Sequence, residues 1–235
     1  MKIRPGASTA YPFNVQYRIG RIAKYLDCGE WLDYGCAGGG YTDGLLQSGA
    51  ATVTGVDVAV DRIEAARKAH PHIRFSVIEN DQIPFPGGSF DGVFMNEVLE
   101  HVTDEDRTLE EVYRVLRPGG HFIVISPNRG FPFEGHIVCI GRWSSRRPTP
   151  IIPWLPKKLT HRWVVARNYW PKELRRKISS KGFAIVDSGF IMPVFEGFPW
   201  VPAALAESFR RHITTIDRVP GVRRFGVSNL IVARR

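Results

Sequence analysis

This sequence of 235 residues has few of the features that mark secreted or membrane-spanning proteins. It contains three cysteines, Cys28, Cys36 and Cys139, which are too few and too scattered for a disulfide framework or a structural zinc site. Its apolar runs are much shorter than the ~20 residues of a membrane-spanning helix. No apolar core follows the first residues, as it would in a secretory signal peptide. We therefore expect a cytoplasmic protein.

Internal repeats and low-complexity tracts are also absent, and 43% of the residues are hydrophobic, which is ordinary for a globular protein. The length suits one α/β domain over residues 1–235. Acidic residues are scarce in one segment, because residues 142–176 contain ten lysines or arginines and a single acid, Glu173, in a chain of net charge +9. This segment is either a solvated basic face or a surface that attracts an anionic ligand, nucleic acid or lipid.

Glycine, by contrast, is concentrated at one point. Residues 31–34 are typical of the end of a buried strand, and four of the six residues from Gly35 to Gly40 are glycine. Glycine allows a sharp turn that still leaves room for a ligand on the backbone. A helix predicted over residues 41–47 would point its free N–H groups at that ligand. Strand, glycine turn and helix form the first half of a nucleotide-binding βαβ unit.

A second predicted strand, residues 51–57, ends in Asp57, which lies 22 residues after Gly35. Rossmann-like units place a carboxylate at about this distance to bind the ribose hydroxyls of an adenosine. An acid at a strand end is also a common N-cap for the next helix. The combined spacing favours the ribose role.

Strands and helices alternate along most of the remaining chain, which predicts a parallel, doubly wound sheet. Further strands are predicted over 73–78, 89–96, 121–126, 182–187 and 227–233, with helices over 61–69, 105–116, from 170 onward and over 203–217. Residues 1–30 are a lead-in that either packs on the core or forms a flap over the ligand. Residues 127–169 show no clear period, so we expect a functional cap there.

Four blocks of this chain resemble the class I S-adenosylmethionine-dependent methyltransferases, particularly the group with the type 11 methyltransferase domain. They are Asp33-x-Gly35-x-Ala37-x-Gly39, with Ala37 where a glycine is usual, Asp57, residues 83–91 and residues 114–120. The resemblance covers residues 28–126 strongly and the last three elements loosely. It implies a Rossmann-like, doubly wound α/β sheet of seven strands, with the last strand antiparallel and a cap inserted after the fifth.

The resemblance also implies where S-adenosylmethionine binds. The glycine loop would face the methionine part, Asp57 would hold the ribose, and the end of the fourth strand would lie near the methyl group. Glu79 or Asp81, with the backbone of Asn80 between them, would meet the adenine edge. The implied cofactor residues are Asp33, Gly35, Cys36, Ala37, Gly39, Asp57, Val58, Glu79, Asn80, Asp81, Asn96 and Glu97.

Methyl transfer to an alcohol needs a base or a metal ion to activate the hydroxyl. Glu97-x-x-Glu100-His101, directly after the fourth strand, resembles a block of quinone-biosynthesis O-methyltransferases and small-RNA 3′-end methyltransferases. In those families it helps to bind a divalent cation, for which Mg²⁺ is the candidate here, and a later histidine completes the site. His136 and His161 are the candidates for that histidine.

The same block also begins a helix in many relatives without any metal. In that case His136 or His101 is the candidate general base, and Glu134 is placed to orient either ring. Aromatic residues in the cap either form a wall for a ring or sugar or pack in the core. These are Phe131, Phe133, Trp143, Trp154 and Trp163. A further apolar patch, residues 195–200, could touch lipid or a partner chain.

The sequence thus predicts an O-methyltransferase for a small hydroxylated acceptor, such as a saccharide or a quinone-like ring with adjacent hydroxyls. Methylation of an RNA 3′-terminal ribose is an alternative that the basic cap favours. The absence of a recognisable RNA-binding module opposes it, so nucleic acid is not the expected partner. A cofactor-binding regulator without turnover is a third interpretation. Contact with a membrane surface or anionic ligand and the oligomeric state stay open.

Overall fold

The computed structural model describes residues 12–79, 82–195 and 198–235, so Asn80, Asp81 and the first eleven residues of the lead-in lie outside the described residues. The strands are β1 (Glu30–Tyr34), β2 (Thr52–Asp57), β3 (Arg74–Val77), β4 (Phe90–Asn96), β5 (Leu116–Pro127), β6 (Phe133–Glu134), β7 (Val138–Ile140), β8 (Trp143–Ser145), β9 (Thr149–Pro150), β10 (Ala184–Ile191) and β11 (Ser228–Arg234). The α-helices are α1 (Pro12–Ile22), α2 (Gly40–Gln47), α3 (Val60–Ala69), α4 (Glu105–Val115), α5 (Lys157–Thr160), α6 (Pro171–Ser179) and α7 (Ala203–Ile216).

Seven strands form one sheet in the order β10-β11-β5-β4-β1-β2-β3. β1 and β2 pair in parallel, as do β2 and β3, whereas β10 and β11 are antiparallel, with an irregularity between Ile185 and Asp187. The predicted α/β fold, a seven-stranded sheet with its last strand antiparallel, is therefore confirmed. Within the described residues, no helix is long and apolar enough to cross a membrane.

Contacts within the chain divide it into two compact units. The first comprises Met1–Phe94, Glu110–Phe122 and Arg235, and the second comprises Met95–Leu109 and Ile123–Arg234. Both units include residues of the seven-stranded sheet. Whether the chain behaves as one domain stays a prediction.

The core of the first unit lies around β1 and β2. Trp31 and Leu32 of β1 have no exposed surface, as the predicted buried strand requires. Gly55 of β2 permits the close approach of Phe75, because a Cβ at position 55 would lie 2.5 Å from that ring. On the lead-in, Ile19 and Ile22 are buried, and α1 packs on α2. This part of the lead-in therefore packs on the core.

The start of β5 differs from the sequence prediction, which placed it at residue 121. The strand begins at Leu116, directly after α4. The Gly119 N–H donates to the carbonyl of Arg235, and the Arg235 N–H donates to the carbonyl of Gly120. The strand is longer because its backbone finds partners at the far end of the chain, which a local pattern cannot show.

The predicted cap, residues 127–169, belongs to the second unit and has no long helix or strand. It is built on two short antiparallel pairs, β6 with β9 and β7 with β8. The Arg129 guanidinium donates to the carbonyls of Pro153 and Leu155 and so ties the start of the cap to its middle. The cap is thus held by short ladders and side-chain bonds instead of a regular repeat.

Candidate active site

The glycine loop of the first unit is fixed by the end of β2. The N–H groups of Gly35 and Cys36 both donate to the carbonyl of Val56, at 2.7 and 3.0 Å. Gly35 and Gly39 have φ angles of 81° and 84°. Ala37 has a φ of 47°, a left-handed conformation that is unfavourable for a residue with a side chain. The family that this chain resembles usually has glycine at this position, and alanine has the smallest side chain that can replace it.

The carboxylate of Asp57 holds this loop in place. Its Oδ2 accepts the N–H of Ala37 at 3.0 Å, and its Oδ1 accepts the N–H of Ala59 at 2.9 Å. The guanidinium of Arg62 lies 3.9 Å from Oδ2. The N-cap of α3 is Ala59, and no side chain caps that helix, so the alternative of Asp57 as an N-cap is wrong. Each oxygen of the Asp57 carboxylate can still accept a second hydrogen bond, as the ribose role requires.

Asp33 lies on β1 and is buried. Burial raises the pKa of its carboxyl to about 7, against the effect of the hydrogen bond from Thr42, and the charge of Asp57 adds to the rise. The hydroxyl of Thr42 on α2 donates to Asp33 at 2.7 Å. This link between β1 and α2 was not predicted. The sequence offers a signal for it, since Thr42 lies in the first turn of the predicted helix that follows the glycine loop.

The adenine side predicted from the resemblance lies after β3. Glu79 is exposed and pairs through its backbone with Gln82. Both residues line an open cleft of about 540 Å³, together with Val77, Ile83, Pro84 and Phe85. Val58, directly after Asp57, is 55% exposed, whereas Cys36 is buried in a cluster with Phe75. Burial raises the pKa of the Cys36 thiol, so it acts as an apolar core group.

In the second unit, the chain leaves β4 at Asn96 and turns sharply. Glu97 has a φ of 55°, and its N–H donates to the carbonyl of Ile125 at 2.8 Å. Its carboxylate accepts a hydrogen bond from the hydroxyl of Ser228 on β11. A left-handed glutamate is strained, and such strain is often found at functional sites.

Three of the five predicted metal ligands come together in the second unit. One ligand atom from each of Glu100, His101 and His136 lies within 4.8 Å of the others, and the two imidazole rings are 5.0 Å apart. Glu97 is not part of this group. His161 is not part of it either, because its exposed ring follows α5 and its Nδ1 lies 2.8 Å from the carbonyl of Lys158.

His136 is held by a buried carboxylate. Its ring Nδ1 lies 2.8 Å from Oε1 of Glu134, and its backbone N–H donates to the same oxygen at 3.0 Å. The side-chain amide of Asn168 donates to the other oxygen, Oε2. Burial lowers the pKa of His136, but the hydrogen bond and charge of Glu134 and the charge of Glu97 outweigh it and raise the pKa overall. Glu134 thus fixes the orientation of the His136 ring. The other ring nitrogen, Nε2, can then take a proton from the methyl acceptor or bind a metal ion.

The segment around Glu100 is held by residues that the sequence analysis missed. The hydroxyl of Tyr169 donates to Glu105 on α4 and lies 3.3 Å from the carbonyl of Leu99. The N–H of Arg167 donates to the carbonyl of Glu100 at 3.2 Å. These residues come from the end of the cap, about 65 positions further along the chain, and no local motif indicates their role.

The predicted aromatic residues of the cap divide into two groups. Phe131 and Phe133 join an aromatic cluster with Phe195, Phe198 and Trp200, with ring centroids 5.5–6.3 Å apart. The rings of Trp143 and Trp154 are about half exposed instead. The aromatic cluster is therefore built from phenylalanines and Trp200, whereas Trp143 and Trp154 face solvent and Trp163 is partly buried. A wall for a ring or sugar stays a prediction.

A family profile described as a methyltransferase domain matches residues 32–124, from β1 into β5. A probable S-adenosylmethionine-dependent methyltransferase of Mycolicibacterium smegmatis is 30% identical over 192 residues, which are 82% of this chain and 63% of that protein. A ubiquinone biosynthesis O-methyltransferase of Chelativorans sp. is 29% identical over 171 residues, 71% of this chain and 63% of that protein. This chain therefore spans less than two thirds of the length of these curated relatives.

A solved S-adenosylmethionine-dependent methyltransferase of Mesorhizobium loti has the same fold, with a TM-score of 0.62 and 21% identity. The alignment covers 94% of this chain and 98% of that structure. The fold, the glycine loop and Asp57 agree with the sequence blocks that the family shares. Residues 32–124 belong to the methyltransferase domain family, and the chain has the fold of the S-adenosylmethionine-dependent methyltransferases.

Proposed function

We propose that this chain transfers a methyl group from S-adenosylmethionine to a hydroxyl of a small acceptor with adjacent hydroxyls, a quinone-like ring or a saccharide. The observation that carries the proposal is the buried Glu134 bonded to His136, beside Glu100 and His101. A methyltransferase for an acidic or already nucleophilic group has less need of such an assembly. The printed function of the Chelativorans relative, ubiquinone biosynthesis, supports a quinone-like acceptor.

The residues of the first unit would hold the cofactor. The glycine loop offers backbone close to the ligand, and the carboxylate of Asp57 retains acceptor capacity for ribose hydroxyls. S-adenosylmethionine, when bound, supplies an electrophilic methyl group on a sulfonium. The protein then has to align and activate the acceptor, since the cofactor itself carries the difficult chemistry.

Two modes of activation use the same residues. In the first, Nε2 of His136 takes the proton of the acceptor hydroxyl, while Glu134 stabilises the charged ring. In the second, Glu100, His101 and His136 hold a divalent cation that lowers the pKa of the hydroxyl. Two imidazoles and one carboxylate suit Mn²⁺, Fe²⁺ or Zn²⁺ better than Mg²⁺, which prefers oxygen ligands.

The test is methyl transfer from radiolabelled S-adenosylmethionine to a panel of catechols, hydroquinones, saccharides and RNA with a free 3′ end. Each reaction is run with added Mg²⁺, Mn²⁺ or Zn²⁺ and with a chelator. We expect transfer to a compound with adjacent hydroxyls. Loss of transfer in chelator selects the metal mode, and insensitivity to chelator selects the base mode.

Two outcomes would overturn the proposal. Transfer only to the RNA 3′ end would establish the alternative that the basic segment favours. Cofactor binding without transfer to any compound would favour a regulatory protein. His161→Gln is the matched control for His136→Gln, because both histidines lie in the cap and only His136 belongs to the Glu100 group.

A further inference from the structure

The cap carries most of the chain's excess positive charge. From residue 135 to its end at residue 169 it contains seven lysines or arginines and no acid, in a chain of net charge +9. Six of these basic residues fall between residues 137 and 165, and all six are exposed. We name residues 137–165 the basic cap surface. Such a surface attracts polyanions but does not by itself distinguish between them.

The same surface also exposes large apolar side chains. Ile140, Trp143, Ile151, Trp154, Leu159 and Val165 are between 39% and 60% exposed. In β7, Val138 is buried while Cys139 and Ile140 are exposed, so burial ends along the strand and Ile140 reaches solvent. Aliphatic groups and tryptophans beside arginines are typical of proteins that lie in the interface of a bilayer.

One exposed residue is held there against its backbone preference. Ile151 has a φ of 70°, which is unfavourable for a β-branched residue, and it is 56% exposed. Its N–H donates to the carbonyl of Pro132 at 2.7 Å, which fixes this conformation. Because the Ile151 side chain is exposed, the strained backbone at this position adds no packing to the core. The strain therefore indicates that this side chain contacts something outside the protein.

The hairpin and the end of the cap are joined. The N–H of Cys139 donates to the carbonyl of Trp163 at 2.7 Å, and Val138 bridges to Val164. The turn with Arg142 and Trp143 therefore sits in the same folded segment as Lys158, Leu159 and Arg162. Basic and apolar groups are presented together and not on separate flexible loops.

We propose that the basic cap surface docks on an anionic phospholipid bilayer, with its arginines and lysines at the headgroups and its tryptophans and aliphatic side chains in the interface. The complementary charge and the exposed aliphatic residues carry this assignment. A single-stranded RNA would be bound through stacking on aromatic rings and phosphate contacts, and it would have no use for exposed Ile140, Ile151 and Leu159. The inference does not depend on the identity of the methyl acceptor.

The test is sedimentation of the full-length protein with vesicles of phosphatidylcholine alone or mixed with phosphatidylglycerol, over a salt series. We expect binding to the anionic vesicles that weakens with salt and little binding to the neutral ones. Arg142→Gln, Arg146→Gln and Arg147→Gln together should weaken binding about 100-fold at low salt, since each basic residue near an anionic surface contributes about fivefold. The double variant Trp143→Ala and Trp154→Ala should also weaken binding to the anionic vesicles, and this loss should persist at higher salt.

Control variants remove similar groups elsewhere in the chain. Lys68→Gln, Arg176→Gln and Arg211→Gln remove three exposed charges outside the surface, and Leu205→Ala with Phe225→Ala removes exposed apolar groups. Both controls should bind vesicles as the wild type does. Absence of binding to anionic vesicles at low salt would overturn the proposal, as would arginine and tryptophan variants that bind normally. RNA binding that needs the three arginines, without vesicle binding, would assign the surface to nucleic acid.

Discussion

The glycine loop and the Glu134–His136 group differ in how they are held. The loop is fixed by backbone bonds to Val56 and by Asp57, all within 25 residues of sequence. The His136 group depends on side chains, with Glu134 two residues away, Asn168 more than 30 residues away and Glu100 before the cap. A site for a common cofactor can be a local motif. The proposed acceptor site is assembled from distant parts of the chain instead.

The strongest test of this difference is His136→Gln. It removes Nε2, which both modes of hydroxyl activation require, so we expect the methyl-transfer rate to fall by about 10²–10⁴-fold. Affinity for S-adenosylmethionine should stay within about twofold, because His136 is not part of the glycine loop. Steady-state kinetics and calorimetric titration measure the two effects. An unchanged rate would remove His136 from the chemistry.

Asp57→Ala, in the first unit, is expected to weaken the binding of S-adenosylmethionine itself. This change removes the acceptors for the Ala37 and Ala59 N–H groups and for the ribose, and charge-assisted bonds contribute about 1.5–3 kcal/mol each. We expect cofactor affinity to fall by at least about 100-fold in a calorimetric titration. Asp61→Ala, an exposed acid in the first turn of α3, is the matched control and should bind normally.

A smaller effect is expected for Asn168→Ala. This change removes the amide that donates to Glu134, and residues that orient a metal or catalytic histidine typically contribute about 10–100-fold. We expect the transfer rate to fall by about tenfold while cofactor affinity is unchanged. If the rate equals that of the wild type, Glu134 needs no support from Asn168.

The last prediction concerns a different quantity, the free energy of unfolding, and the buried carboxyl of Asp33. Its pKa is about 7 in the folded protein and 3.8 in the unfolded one, so the folded state holds an extra proton between these values. The free energy of unfolding should therefore contain a contribution that falls by at most about 1.4 kcal/mol per pH unit as pH rises from 4 to 7. Asp33→Asn should remove that contribution. Urea unfolding of both proteins across this range measures the difference, and identical slopes would contradict it.

Much of the fold followed from local patterns. β1 and the glycine loop were predicted because each depends on neighbours within a few residues, while the ribose role of Asp57 stays a prediction. The start of β5 was wrong by five residues, since Gly119 and Gly120 pair with Arg235 at the end of the chain. Asn168 and Tyr169 were missed because their roles arise from tertiary contacts alone, whereas Thr42 was missed although its place after the glycine loop is a signal.

The prediction of metal ligands shows the same limit. The spacing of Glu97, Glu100 and His101 was visible in the sequence, but which later histidine would join them was not. The structure places His136 beside Glu100 and His101 and leaves His161 exposed after α5. Glu97, the first residue of the block, bonds to Ser228 instead.

The central claim is that His136 serves methyl transfer and not cofactor binding. It is tested most directly on His136→Gln, by titration with S-adenosylhomocysteine and by methyl transfer to the preferred acceptor, both measured on the same preparation. We expect a wild-type binding isotherm together with a transfer rate that is lowered by about 10²-fold or more. Normal transfer, or loss of nucleotide binding in a variant with a wild-type circular dichroism spectrum, would contradict it.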